Sequence, residues 1–367
     1  MAKKLRDRVW VSLVVWLIGA HGIACKSDRA SAGDAAGRAA EAGTSSTADG
    51  GSGGSIVLAG QGASGSPAAD GGGGSPAADG GSSADAGAQE TPNTGTGSAT
   101  GDGKSLSAII DMHAIPGGGQ DHQCVIVELP NTQAVWVNDL HATLSTGSHH
   151  LIVDRRSSDS ALQTAAASCP PSMGGDDTRL LIAQQHDTRV TLPSGVAYRL
   201  EAHQRIYLQL HYINMSSAAE DIQGRVDLTL ADAASGTPIE AQSLFTGALS
   251  IDVAPHSPGS VTSFLKPADS AGKVRHVFAL TSHTHSLGVR ATIERVASAN
   301  APASTPIHQS LDWSEPPLTL FAPPLDFNGS DGLRLTCDYQ NDTDSTVMFG
   351  TDFSDEMCFM WMYYFDE

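Results

Sequence analysis

From residue 105 to the C-terminus, apolar and polar residues alternate in short runs. Examples are 124–129 (CVIVEL), 134–137 (AVWV), 207–213 (YLQLHYI), 225–230 (RVDLTL) and 289–296 (VRATIERV). A period of two puts every second side chain on one face of an extended chain. Gly, Pro, Asn, Asp and Ser punctuate the runs, as turns require. No segment carries a long, well-capped apolar stripe at helical spacing. The pattern predicts an all-β chain of antiparallel strands in sandwiches or barrels. The stretch 231–240 (ADAASGTPIE) is small, polar and holds both Gly and Pro. It predicts a boundary between two domains, 105–235 and 236–367, each near the usual size of ~100–150 residues.

The first hundred residues follow a different pattern. Residues 1–8 (MAKKLRDR) carry four cationic side chains and one acidic one, and 9–20 (VWVSLVVWLIGA) form one apolar run. That run is shorter than the ~20 residues a spanning helix needs. A charged start, a short apolar run and a small-residue ending predict a lipoprotein-type export signal over 1–24. Gly22-Ile23-Ala24-Cys25 resembles a lipobox, although Gly22 stands where Leu is commonest. Cys25 is the expected lipidation site. The alternative is secretion after cleavage near Ala24, with Cys25 left as a thiol. Residues 25–104 are mostly Gly, Ser, Ala and Asp, and SPAADGG occurs at 66–72 and again at 75–81. Such a segment buries too little to offset its ordering entropy. It predicts a disordered tether with a mean span on the order of 50 Å.

Charge narrows the partners. The chain has 21 Lys+Arg against 40 Asp+Glu, a net charge of −19, and no basic stripe. Nucleic acid is therefore not an expected partner, and membrane contact is expected only through the anchor. Apart from Cys25 the cysteines are Cys124, Cys169, Cys337 and Cys358. In an exported protein an even set predicts disulfides, with three possible connectivities.

Thirteen of the 14 histidines lie from His113 onward. His113, His122, His141, His186, His203, His256 and His308 sit near polar or turn-forming residues and need no function. His276 reads as an ordinary core histidine. Five stand out by arrangement. His283 and His285 form an H-x-H, whose side chains would share one face of a strand and could grip one metal. His211 lies in mid-strand. His149 and His150 are adjacent, so both could serve one metal only where the strand twists or ends. Near the C-terminus, SDEMCFMWMYY places Met357 beside Cys358. A thioether is a soft ligand suited to Cu(I).

The ordered set HH, LQLHY, HTHSLG and SDEMC…MYY resembles the copper type II, ascorbate-dependent monooxygenases, the family of the peptidylglycine and dopamine monooxygenases. The resemblance covers nearly all of 105–367. It implies two β-sandwich, jelly-roll-like domains and two coppers per chain. It assigns His149, His150 and His211 to an electron-supplying copper. His283, His285 and Met357 would hold the copper where oxygen is activated, with ascorbate or a similar reductant as co-substrate. It also implies the pairs Cys124–Cys169 and Cys337–Cys358. Peptide-amidating members hold a substrate carboxylate with an Arg two residues before the H-x-H, and with an Asn and a Tyr two and four residues after the Met. Here those positions are Thr281, Phe359 and Trp361, which argues against peptide amidation.

The resulting expectation is an exported, envelope-anchored enzyme that hydroxylates a C–H bond of a small organic substrate with oxygen. A copper-sequestering or copper-sensing lipoprotein without turnover would use the same ligands. A blue-copper carrier through Cys358 is disfavoured, because that site needs a free thiolate.

Overall fold

The computed structural model describes residues 95–170, 178–232, 236–267, 272–351 and 354–367. The predicted signal, Cys25 and nearly all of the predicted tether lie outside them. Among the described residues there is no helix, and so none long and apolar enough to cross a membrane.

Twelve strands come first: β1 (Thr96–Gly101), β2 (Ser105–Ile115), β3 (Gln120–Glu128), β4 (Val135–Leu144), β5 (Ser148–Arg156), β6 (Gln163–Ser168), β7 (Thr178–Ala183), β8 (Asp187–Thr191), β9 (Val196–Leu200), β10 (Arg205–Ile213), β11 (Glu220–Leu230) and β12 (Ile239–Glu240). Ten follow: β13 (Gln242–Ala248), β14 (Asp252–Val253), β15 (Ser257–Leu265), β16 (Arg275–His283), β17 (Gly288–Val296), β18 (Pro306–Ser310), β19 (Thr319–Phe327), β20 (Gly332–Asn341), β21 (Val347–Met348) and β22 (Cys358–Asp366). Each alternating run singled out above lies within one of these strands, or overhangs its end by a residue.

β1 corrects the expected extent of the tether. Its composition is small and polar, yet it pairs along its whole length with β2. Small residues are what the position demands. A Cβ at Gly97 would lie 2.6 Å from Val125 Cγ2, so the strand can press onto the core only without a side chain there.

The first twelve strands run in the order β12-β9-β4-β11-β2-β1-β6-β3-β10-β5-β7, with β8 beside β4. β1 and β6 meet at a single pair, Thr96↔Ala165. The set folds over at that narrow joint into two facing layers. Gly224 of β11 shows how close they are: a Cβ there would meet Leu151 of β5 at 3.1 Å and Leu210 of β10 at 3.2 Å. The remaining strands form β13-β22-β16-β19, β15-β20-β17-β18 and the small pair β14-β21.

β22 has two buried faces. Cys358, Met360, Met362 and Tyr364 enter the core between the two later four-stranded sheets. Phe359, Trp361, Tyr363 and Phe365, with Met357 just before the strand, join the core that also contains the β1–β12 strands. Period-two alternation therefore sends one strand's side chains into two cores. Burying one large apolar side chain contributes about 1.5–3 kcal/mol, so this seam is a core rather than a surface contact. Hydrogen bonds cross it: the Ile182 N–H donates to Tyr363 Oη at 2.9 Å, and Ser243 Oγ donates to the Arg179 carbonyl at 2.9 Å. Disulfides join Cys124 to Cys169 and Cys337 to Cys358, the pairing that the resemblance implied. Two disulfides are the pattern of an exported protein.

Candidate metal centre

β3, β10 and β5 lie side by side, and His211 of β10 stands directly opposite both His122 and His150. Directly paired residues of antiparallel neighbours share a face. The three imidazoles therefore project together. The β5–β10 register then slips, because Tyr212 pairs with Ser148 and His149 is left over. This is a β-bulge, in which one extra residue sits against a shorter partner and re-aims its side chain. The bulge is the local irregularity that the doublet required. The His149 ring centroid is 5.2 Å from that of His150 and 5.2 Å from that of His211.

His283 ends β16, and His285 lies in the turn before β17. The pair is thus not within one strand as expected, but the ring centroids are 5.3 Å apart and nearly perpendicular. His283 also reaches the other set, with its centroid 5.7 Å from that of His149 and 5.3 Å from that of His150. The nitrogens of His149, His150 and His283 lie within 4.8 Å of one another, as do those of His122, His150 and His211. The histidines predicted to form two sets meet in one buried cluster.

Three ring nitrogens in this cluster are buried without a hydrogen-bond partner: His149 Nε2, His150 Nδ1 and His211 Nδ1. Unpaired buried polar atoms cost free energy, and a metal would satisfy all three. Burial, then the neighbouring imidazoles, holds His149 down at about 3 and His150, His211 and His283 well below the usual histidine value. The rings are neutral across the ordinary pH range and keep a lone pair for a metal. The donor set fits copper.

Oriented partners hold the second group. His283 Nδ1 lies 2.6 Å from Gln184 Oε1, and His285 Nδ1 lies 2.9 Å from the Asp355 carbonyl. Both contacts leave Nε2 for a metal. Glu356 is fully buried and was given no role in the sequence. Its Oε2 accepts the N–H groups of His285 at 2.9 Å and Met357 at 3.2 Å, and Oε1 accepts that of Leu287 at 2.7 Å. Burial pushes its carboxyl up to about 7, against the pull of these N–H groups. One carboxylate thereby ties the H-x-H turn to the methionine segment. The Met357 carbonyl accepts from Tyr339 Oη at 2.7 Å, and the next residue is held by the Cys337–Cys358 disulfide.

The three departures from the peptide-amidating pattern are also placed. Thr281 is buried, accepts from Gln184 Nε2 at 3.1 Å and donates to the Pro317 carbonyl at 3.0 Å. Phe359 stacks on Phe245 at 4.3 Å between centroids. Trp361 packs on Phe245 and lies 6.1 Å from His283. A cavity of about 480 Å³ opens beside His149, lined also by His186, Met215, Glu220, Trp313 and Glu315. The sequence reading missed His122, Gln184, Glu356 and Trp313. Of these only Glu356 lay in a segment that the sequence singled out, SDEMC.

Residues 265–367 match the family model of the copper type II ascorbate-dependent monooxygenase C-terminal domain. This region belongs to that family. The matched residues span β16–β22, and include Met357 and the H-x-H pair. No curated protein matches the chain at a significant level. Solved structures superpose on it loosely. Vicilin from Corylus avellana (hazelnut) is 8% identical, covers 71% of this chain and 75% of its own, and has a TM-score of 0.19. The Lactobacillus farciminis oxalate decarboxylase formate complex is 7% identical, covers 73% and 85%, and has a TM-score of 0.15. Superposition that weak carries no argument.

Proposed function

We propose that this chain is a copper-dependent monooxygenase that hydroxylates a C–H bond of a small organic substrate, with His149, His150 and His211 holding one copper and His283, His285 and Met357 the other. One observation carries the reading: ligand candidates far apart in sequence converge on a buried, neutral histidine cluster with unsatisfied nitrogens. Bound copper would supply one-electron chemistry, so that one oxygen atom enters the substrate and the other leaves as water at the expense of an ascorbate-like reductant.

The chain's own residues position and exclude. Gln184 and the Asp355 carbonyl set the tautomers of His283 and His285. Phe245, Phe359 and Trp361 form an apolar wall beside His283. The cavity at His149 suits a small molecule that rests against the Trp313 ring, whose centroid is 5.4 Å from His149. The absence of a cation at Thr281 argues for a substrate without the peptide carboxylate.

The test is product analysis after incubation of copper-loaded chain with a metabolite extract, ascorbate and labelled oxygen. The expected result is about two coppers per chain and one labelled atom in a product, dependent on reductant. Two tightly held coppers with no reductant-dependent product would instead support a copper-sequestering or copper-sensing role.

A further inference from the structure

His122 was expected to need no function, yet it is built into the same row of imidazoles as His211 and His150. The His122 and His211 rings stack at 3.9 Å with 14° between planes, and the His122–His150 centroids are 6.0 Å apart. Nitrogens of all three lie within 4.8 Å of one another. Imidazoles on one metal place their nitrogens about 2.0–2.1 Å from it in zinc sites, so nitrogens that share an ion lie at most about 4.2 Å apart, and the stacked His122 and His211 rings would have to turn for both to reach it. The backbone at His122 is also fixed. Its carbonyl accepts the Cys169 N–H at 3.0 Å, its own N–H donates to Asp121 Oδ1 at 2.7 Å, and Cys124 two residues on is bonded to Cys169.

We propose that His122 is a fourth imidazole ligand of the copper held by His149, His150 and His211. The inference rests on the copper reading above and deepens it. A fourth nitrogen donor favours the oxidised ion over the softer Cu(I). It would make this copper the better electron donor of the two and distinguish it chemically from the methionine site. The competing explanation is that His122 only stacks on His211.

The experiment uses the full chain carrying His283→Ala and His285→Ala, so that added Cu(II) fills only the site in question. Pulsed electron paramagnetic resonance then counts coupled imidazoles at one equivalent of copper. The expected count is four, falling to three when His122→Phe is added, with copper affinity lowered about tenfold, the lower end for losing a supporting group. Phenylalanine keeps a flat ring on His211 and removes only the donor. A count of three before that change, or a count and affinity that His122→Phe leaves unaltered, overturns the inference while copper binding stands. If His122→Phe fails to fold, the count in the parent chain still decides. An intact chain that binds no copper at all overturns the copper reading and this inference with it.

Discussion

Gln184 accepts a hydrogen bond from His283: its Oε1 lies 2.6 Å from His283 Nδ1. The direction follows from the neighbours. Gln184 Nε2 donates to Thr281 Oγ1 at 3.1 Å and to the Ser282 carbonyl at 3.0 Å. The Thr281 hydroxyl gives its own hydrogen to the Pro317 carbonyl. Both amide hydrogens are therefore committed, and Oε1 must receive the Nδ1 proton. His283 is left with an unprotonated Nε2, the tautomer a metal requires.

Gln184 is accordingly a positioning residue for His283, and Gln184→Leu is expected to weaken copper at the methionine site by about 10–100-fold. Gln184→Glu, which keeps an acceptor, should recover most of the affinity. Competition titration with a Cu(I) chelator measures both. Equal affinities for the wild type and Gln184→Leu would show that the contact does not orient the ligand.

His308 offers a pH test at a histidine outside the proposed ligand sets. Its ring lies between Ser282 Oγ and Thr319 Oγ1, each at 2.9 Å, and burial lowers it to about 4. The unfolded chain, with an ordinary histidine near 6.5, binds the extra proton between about pH 6.5 and 4. The stability contribution is thus complete above pH 6.5 and is lost as pH falls toward 4. Between pH 7 and pH 5 the metal-free wild type should lose about 2 kcal/mol more than His308→Gln does. Denaturant unfolding at the two pH values checks this, and parallel losses would show that His308 is not the group responsible.

Cys25 lies outside the described residues, so its acylation stands on the sequence. Cys25→Ser is expected to release the protein from the membrane fraction in soluble form. A variant that still fractionates with membranes would remove the lipid anchor from the account.

The strands were legible because alternation survives wherever one face is buried, as in RVDLTL of β11. β1 was not, because its small residues answer to the close approach of Val125, which composition does not show. The histidine doublet could be seen but not resolved: period two assigns His149 and His150 to opposite faces, and only the bulge beside Tyr212 reconciles them. His122 was hidden for a related reason. Its meaning comes from cross-strand register with His211, which is set by pairing across the chain. Glu356 was visible in the DEMC motif, but its role lies in accepting backbone N–H groups from a turn some seventy residues away.

Met357 gives the sharpest test of the enzyme. Its backbone is held at three points: N–H to Glu356, carbonyl to Tyr339, and the disulfide of Cys358. A substitution of equal volume should leave that frame in place, and Met→Leu in a core usually costs less than about 1.5 kcal/mol. If Met357 only packs, Met357→Leu will be active. The proposed role predicts instead that Met357→Leu abolishes hydroxylation while far-UV circular dichroism and the Cys337–Cys358 bridge are unchanged. Met357→His should keep copper, since imidazole is a competent ligand, yet lose most activity because a harder donor favours Cu(II). Labelled-oxygen incorporation measured on both variants separates loss of the ion from loss of its reactivity. A fully active Met357→Leu protein would show that the Met357 thioether is not needed for oxygen activation and would remove it from the proposed ligand set.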